Sequence, residues 1–130
     1  MHPTPVNSFG FEELDVWKRI RLFKNTVCSV SDTFPPGEKY RLIDQLKRSA
    51  RSINANIAEG HGRFTYPDQL HFCVIARGSL SETVNHLIDA LDEGYITKEK
   101  LLMIKNSAKE IEKLLNGYIT FLRKKRDEHK

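Results

Sequence analysis

The stretch from Gln45 to Gly62, QLKRSARSINANIAEGHG, limits what this chain can fold into more than any other part of it. Written as a helix, it carries two stripes. Ile43, Leu46, Ala50, Ile53 and Ile57 recur at alternating steps of three and four, which places them on one face. Gln45, Ser49, Ser52, Asn56 and Glu59 keep the same rhythm, displaced by about a third of a turn. Amides, hydroxyls and a carboxylate in register suit a half-buried polar seam in which each group finds a partner. A helix with two such stripes needs two kinds of neighbour.

The flanking segments supply candidates. Val16, Ile20, Phe23, Val27, Val30 and Phe34 mark a first helix from about Phe11, widened by Trp17. Glu12, Glu13 and Asp15 sit in its first turns, where the macrodipole favours anions. Phe34-Pro35-Pro36-Gly37 stops it. Helix two runs from about Glu38 to Glu59 and ends at Gly60 and Gly62. Thr65 and Asp68, with Pro67 between them, predict a capped start for helix three, about Pro67 to Glu93. One edge of its broad apolar arc holds Phe72, Ala76 and Thr83; the other holds Cys73, Leu80, Val84, Leu87 and Leu91. Gly78 lies mid-helix beside Ala76 and Ser79, where glycine costs about 1 kcal/mol relative to alanine, so another backbone is expected to come close. Gly94 closes helix three and Thr97 caps helix four, whose heptad track is Leu101, Ile104, Ala108, Ile111, Leu115, Tyr118 and Leu122. Long helices joined by short loops predict an all-α fold, an antiparallel up-down-up-down four-helix bundle over residues 11–125. A flexible arm over 1–10 precedes it and a basic, fraying tail over 126–130 follows.

A chain of 130 residues with 39% hydrophobic and 29% charged side chains reads as one soluble globular domain. Its net charge of +4 permits an anionic partner without demanding one. Cys28 and Cys73 fall inside helical patterns and read as two free thiols in a reducing compartment. The N-terminus lacks the apolar core of a signal peptide, and no run reaches the eighteen or so apolar residues of a membrane span. The expected location is cytoplasmic, with no membrane partner.

The basic residues fall into three groups: Lys18, Arg19, Arg21 and Lys24; Arg41, Lys47, Arg48 and Arg51; and Arg123 to Arg126. Interleaved acids make ordinary solvated faces one reading. Phosphate contact is the other, with Arg63, Phe64 and Tyr66 adding a cation and stacking rings. The expected nucleic-acid contacts are Lys18, Arg19, Arg21, Lys47, Arg48, Arg51, Arg63, Arg123 and Lys124. Glu82, His86, Asp89 and Glu93 share a face of helix three, but a carboxylate-bridged metal site needs a second Glu-His helix, so this is read as a solvated face. Gly-rich phosphate loops, nucleophile elbows and paired-histidine helices are absent from the sequence. No catalytic residue, metal or cofactor is expected.

The segments FEELDVWK, FPPGEKYRL, SINANIAEG, IARGSLSE and NGYITFL together resemble the 23S rRNA-intervening-sequence proteins, a family of four-helix bundles similar to the accessory proteins of diversity-generating retroelements. The resemblance implies a bundle that assembles into a ring, typically a pentamer, with basic surface directed at nucleic acid. Gln45, Arg48, Ser52, Asn56, Glu59, Gly60, Arg63, Ser79 and Glu82 match its pattern, while Cys73 and Arg77 depart from it. Gln45, Ser52, Asn56, Glu59, Ser79 and Glu82 are therefore expected to form a structural polar seam, helped by Arg48 or Arg63, that fixes helix register or a subunit interface. The expected function is a non-catalytic homo-oligomer that binds structured RNA or DNA. The alternative is a scaffold for a partner enzyme such as a polymerase, without direct nucleic-acid binding.

Overall fold

The computed structural model describes residues 7–129. Four α-helices account for most of them: α1 Asp15–Ser31, α2 Leu42–His61, α3 Tyr66–Asp92 and α4 Lys98–Glu128. Short 3-10 turns at Gly10–Glu13 and Pro36–Glu38 precede α1 and α2. Among the described residues there is no strand, and each helix packs on the next while α1 also meets α4, closing an up-down-up-down bundle.

The core is made by the stripes that periodicity identifies. Val16, Ile20, Phe23, Val27, Val30 and Phe34 are all buried, as are Ile43, Leu46, Ala50, Ile53 and Ile57. From α4, Leu101, Ile104, Ala108, Ile111, Leu115 and Leu122 join them, with Ile119 rather than Tyr118 as the fully buried member of that turn. A straight helix drifts by about 20° per heptad against a strict seven-residue repeat, which carries position 119 inward as the track lengthens. Fully burying each Leu or Ile contributes roughly 1.5–3 kcal/mol, so the bundle rests mainly on this cluster.

Several boundaries differ from the periodicity. The α-helical part of α1 starts at Asp15 because the chain first makes the 3-10 turn, closed by the Phe9 N–H donating to the Glu12 carboxylate at 2.6 Å. Gly10 lies against α2, where a Cβ would stand 2.9 Å from His61 Nε2. Helix α2 starts at Leu42, after the Pro36–Glu38 turn, and the Leu42 N–H donates to the Glu38 carboxylate at 3.3 Å. The other carboxylate oxygen of Glu38 accepts from Tyr95 Oη at 3.0 Å, and the Tyr95 ring packs on Phe34 at 5.4 Å. This ties the α1–α2 and α3–α4 connections at one end of the bundle. Thr65 and Thr97 cap α3 and α4, accepting from the amides of Asp68 and Lys100 at 3.3 and 3.1 Å. Gly94 has φ of +77°, a conformation glycine adopts without strain.

Helix α4 continues through Glu128, into the residues expected as a tail, and the His129 ring lies 5.2 Å from that of Tyr66. The arm expected over residues 1–10 lies outside the described residues for 1–6, and its last part belongs to the turn that seats α1. Within the chain, no backbone approaches Gly78, which is exposed and would place a Cβ in open space. The close approach is at Gly60, where a Cβ would stand 2.9 Å from Phe72 Cβ and 3.3 Å from the Gln69 carbonyl oxygen.

Candidate functional site: a polar seam and a basic face

Close packing of α2 on α3 brings two rows of small polar side chains into contact. Thr83 Oγ1 donates to Ser49 Oγ at 2.9 Å, and Ser52 Oγ is hydrogen-bonded to Ser79 Oγ at 2.9 Å. Asn56 Nδ2 donates to the Ser52 carbonyl at 2.8 Å and to Ser52 Oγ at 3.0 Å. Ser49 and Thr83 also engage the carbonyls of Leu46 and Ser79. Ser49, Ser79 and Thr83 are buried, so these bonds replace the water that each hydroxyl would otherwise hold. The seam lies within the chain, between α2 and α3.

Gln45, Glu59 and Glu82, expected in the seam, lie outside its hydrogen bonds. Gln45 and Glu59 are exposed, and Glu59 accepts from Arg63 at 2.9 Å rather than from α3. Gly60 takes the α3-facing place instead, because it follows Ser49 by three turns to within roughly 20° while Glu59 is about 80° off. Glu82 faces His86 Nε2 at 3.7 Å, and Asp89 stands 4.0 Å from His86 Nδ1, a buried nitrogen without a hydrogen bond. Gln45, Arg48, Ser49, Ser52, Glu82 and His86 line a cleft above the seam. Among the described residues, no group of three His, Cys, Asp or Glu side chains is placed to hold a metal ion. The hydroxyls of Ser49, Ser52 and Ser79 each bond to another hydroxyl rather than to a histidine or carboxylate.

Asn54 escaped the sequence reading. It is buried, and its Nδ2 donates to the Trp17 carbonyl at 3.3 Å while Oδ1 has no hydrogen-bond partner.

The contacts of Asn54 locate the basic residues. Asn54 reaches Trp17, and Lys47 Nζ reaches Asp32 at 2.6 Å, so these contacts bracket the α1–α2 cleft. Arg51 lies between Lys47 and Asn54 on the same flank of α2, and Arg21 and Lys24 lie between Trp17 and Cys28 on the facing flank of α1. Arg21 packs over the Trp17 ring at 5.9 Å. Arg21, Lys24, Lys47 and Arg51 thus edge one cleft, with Asp32 paired to Lys47 and with Asp44 on the same flank of α2. The other expected contacts are dispersed. Arg19 is on the opposite flank of α1, 3.7 Å from Glu110; Lys18 is exposed; and Arg48 pairs with Asp44 at 3.1 Å. Arg63 is held by Glu59 and packs over the Phe72 ring at 4.9 Å, while Arg123 and Lys124 are exposed near the far end of α4.

Burial also sets two ionisations. Desolvation pushes the Cys73 thiol up to about 12 and the Tyr118 phenol up to about 12, the latter also through Cys73. Cys73 is therefore a protonated core thiol, not a nucleophile.

A closed antiparallel bundle with an internal hydroxyl seam and one basic inter-helix cleft defines a helical-bundle protein. Residues 12–117 match the model of the 23S rRNA-intervening sequence protein family, and the chain belongs to that family. A similar crystal structure comes from Bacteroides thetaiotaomicron, a protein with unknown function from the S23 ribosomal protein family. The two are 28% identical with a TM-score of 0.75, over 81% of this chain and 95% of the other. No curated protein matches. Among the described residues, no helix is long and apolar enough to cross a membrane.

Proposed function

We propose that this protein is a non-catalytic, ring-like homo-oligomer that binds structured RNA or DNA through the α1–α2 face. The carrying observation is the alignment of Arg21, Lys24, Lys47 and Arg51 along both edges of one cleft, where Asp32 pairs with Lys47 and Asp44, on the same flank of α2, is engaged by Arg48. A phosphate backbone offers a line of negative charge to such an array and releases counterions on binding. Cyclic assembly would repeat the cleft around a rim, giving a field stronger than a net charge of +4 suggests. The hydroxyls of the seam serve α2–α3 packing in this reading, and the protein works in the cytoplasm with Cys28 and Cys73 free.

The test is fluorescence anisotropy with labelled duplex and hairpin RNA and DNA, comparing wild type with R21E/R51E. Wild type should bind and the variant should lose at least tenfold in affinity while keeping its helical content. Equal affinities, or no binding by wild type, would favour the reading in which the bundle docks a partner enzyme.

A further inference from the structure

We infer that the α1–α2 face takes a nucleic acid with unpaired nucleotides, one base of which stacks on the exposed ring of Phe9. The inference rests on the nucleic-acid reading of that face and names the class of strand it accepts.

A run of rings leads out of the basic cleft. Arg21 packs over Trp17, and the Phe11 ring meets Trp17 edge-on with centroids 5.0 Å apart. Phe9 lies nearly parallel to Phe11, with 14° between the planes and 6.2 Å between centroids. Trp17 and Phe11 are half-buried and fasten the Gly10–Glu13 turn to α1. Phe9 is 73% exposed, so the packing of the chain leaves its ring unused. Trp17 stands one turn before Arg21 on the flank of α1 that faces α2, where its carbonyl accepts from Asn54. The rings therefore extend the line of Lys24 and Arg21 past the end of the cleft.

The turn holds Phe9 in place. Its N–H donates to the Glu12 carboxylate at 2.6 Å, and Ser8 Oγ donates to Glu13 at 3.2 Å. Gly10 sits so close to α2 that a Cβ would stand 2.9 Å from His61 Nε2. A ring ordered before binding loses little freedom on binding, so more of its contact energy appears as affinity.

Local charge decides which part of a strand belongs at Phe9. The turn and the start of α1 carry Glu12, Glu13 and Asp15, with no cation before Lys18. Phosphate is disfavoured there and favoured further along, beside Arg21, Lys24 and Arg51. A nucleobase is uncharged and has a flat π face, so it suits Phe9 while its phosphates follow the cations. Bases within a duplex stack on one another and present no free face, so the base at Phe9 belongs to a strand end, loop or bulge. Phe64 is more exposed still, but Arg63 beside it is held by Glu59, which leaves that ring without a row of cations.

Fluorescence anisotropy on three labelled probes tests the stack. They are a blunt duplex, the same duplex with a short single-stranded extension, and one whose extension is built of abasic sugars, each as RNA and as DNA. The abasic probe keeps every phosphate and lacks only the bases. Wild type should bind the extended probe about five- to a hundredfold more tightly than the abasic one, the range a single base–aromatic stack carries. A preference of that size in either RNA or DNA supports the inference. Phe9→Ala and Phe9→Leu should bring the extended probe down to the affinity of the abasic one, and Phe9→Trp should restore the difference. Phe9→Leu keeps the apolar bulk without the flat ring, and circular dichroism checks that each variant retains its helices. Equal wild-type affinity for the extended and abasic probes would overturn the stack and leave the phosphate reading of the cleft intact. A loss of the same size on the blunt duplex in Phe9→Ala would also overturn it. Wild type that binds none of the probes would overturn both readings.

Discussion

Thr83 Oγ1 and Ser49 Oγ lie 2.9 Å apart, buried between α3 and α2, and each also reaches a carbonyl of its own helix. The pair fixes the register of the tightest helix contact in the bundle. Replacing Thr83 with Val keeps the shape and leaves Ser49 Oγ without the donor that now reaches it. The expected cost is about 1–3 kcal/mol in urea unfolding. Adding Ser49→Ala should cost less than the sum of the single changes, since the two hydroxyls act as a unit.

Gly60→Ala should destabilise the fold despite alanine's higher helix propensity. Its Cβ would stand 2.9 Å from Phe72 Cβ and 3.3 Å from the Gln69 carbonyl, and neither neighbour is the free end of a flexible chain. Overpacking of this kind costs typically about 1–3 kcal/mol. A melting temperature equal to or above that of wild type would show that α2 and α3 part easily at this point.

Stability should fall at alkaline pH. The Cys73 thiol titrates at 9.0 when unfolded and at about 12 in the core, and the Tyr118 phenol is shifted from 10.0 to about 12. In both cases the folded state holds the proton more tightly. The stabilisation is complete below the unfolded values and is lost as pH rises through that window, because the unfolded chain gains by ionising first. Melting temperature should therefore drop between about pH 9 and about pH 12, and Cys73→Ala should flatten that drop. In the native protein, iodoacetamide should label half-buried Cys28 well before Cys73.

Much of this fold is legible in the sequence because period and punctuation agree. Every member of the α1 and α2 apolar stripes is buried, and Thr65 and Thr97 both cap as their spacing predicts. What periodicity leaves out is which neighbour covers which side of a helix. It placed Gln45, Glu59 and Ser49 on one track, but only the structure shows that Gly60 replaces Glu59 at α3. It expected a close backbone at Gly78, whereas a Cβ there would meet open space. The basic residues were grouped by sequence segment, whereas the cleft draws Arg21 and Lys24 from one segment and Lys47 and Arg51 from another, and leaves Arg19 on the far flank. Asn54 was missed because one buried amide facing a carbonyl has no periodic signature.

The measurement that bears most directly on the central claim is the salt dependence of nucleic-acid binding by wild type and by R21A/R51A. If the four cations of the α1–α2 cleft each neutralise a phosphate, the slope of log affinity against log salt for duplex should be about −3.6 per engaged face. Removing two of them should make it shallower by about 1.8 and weaken binding alike on every sequence tried. A slope that stays the same in R21A/R51A, or an affinity indifferent to salt in wild type, would contradict the assignment of this face to nucleic acid.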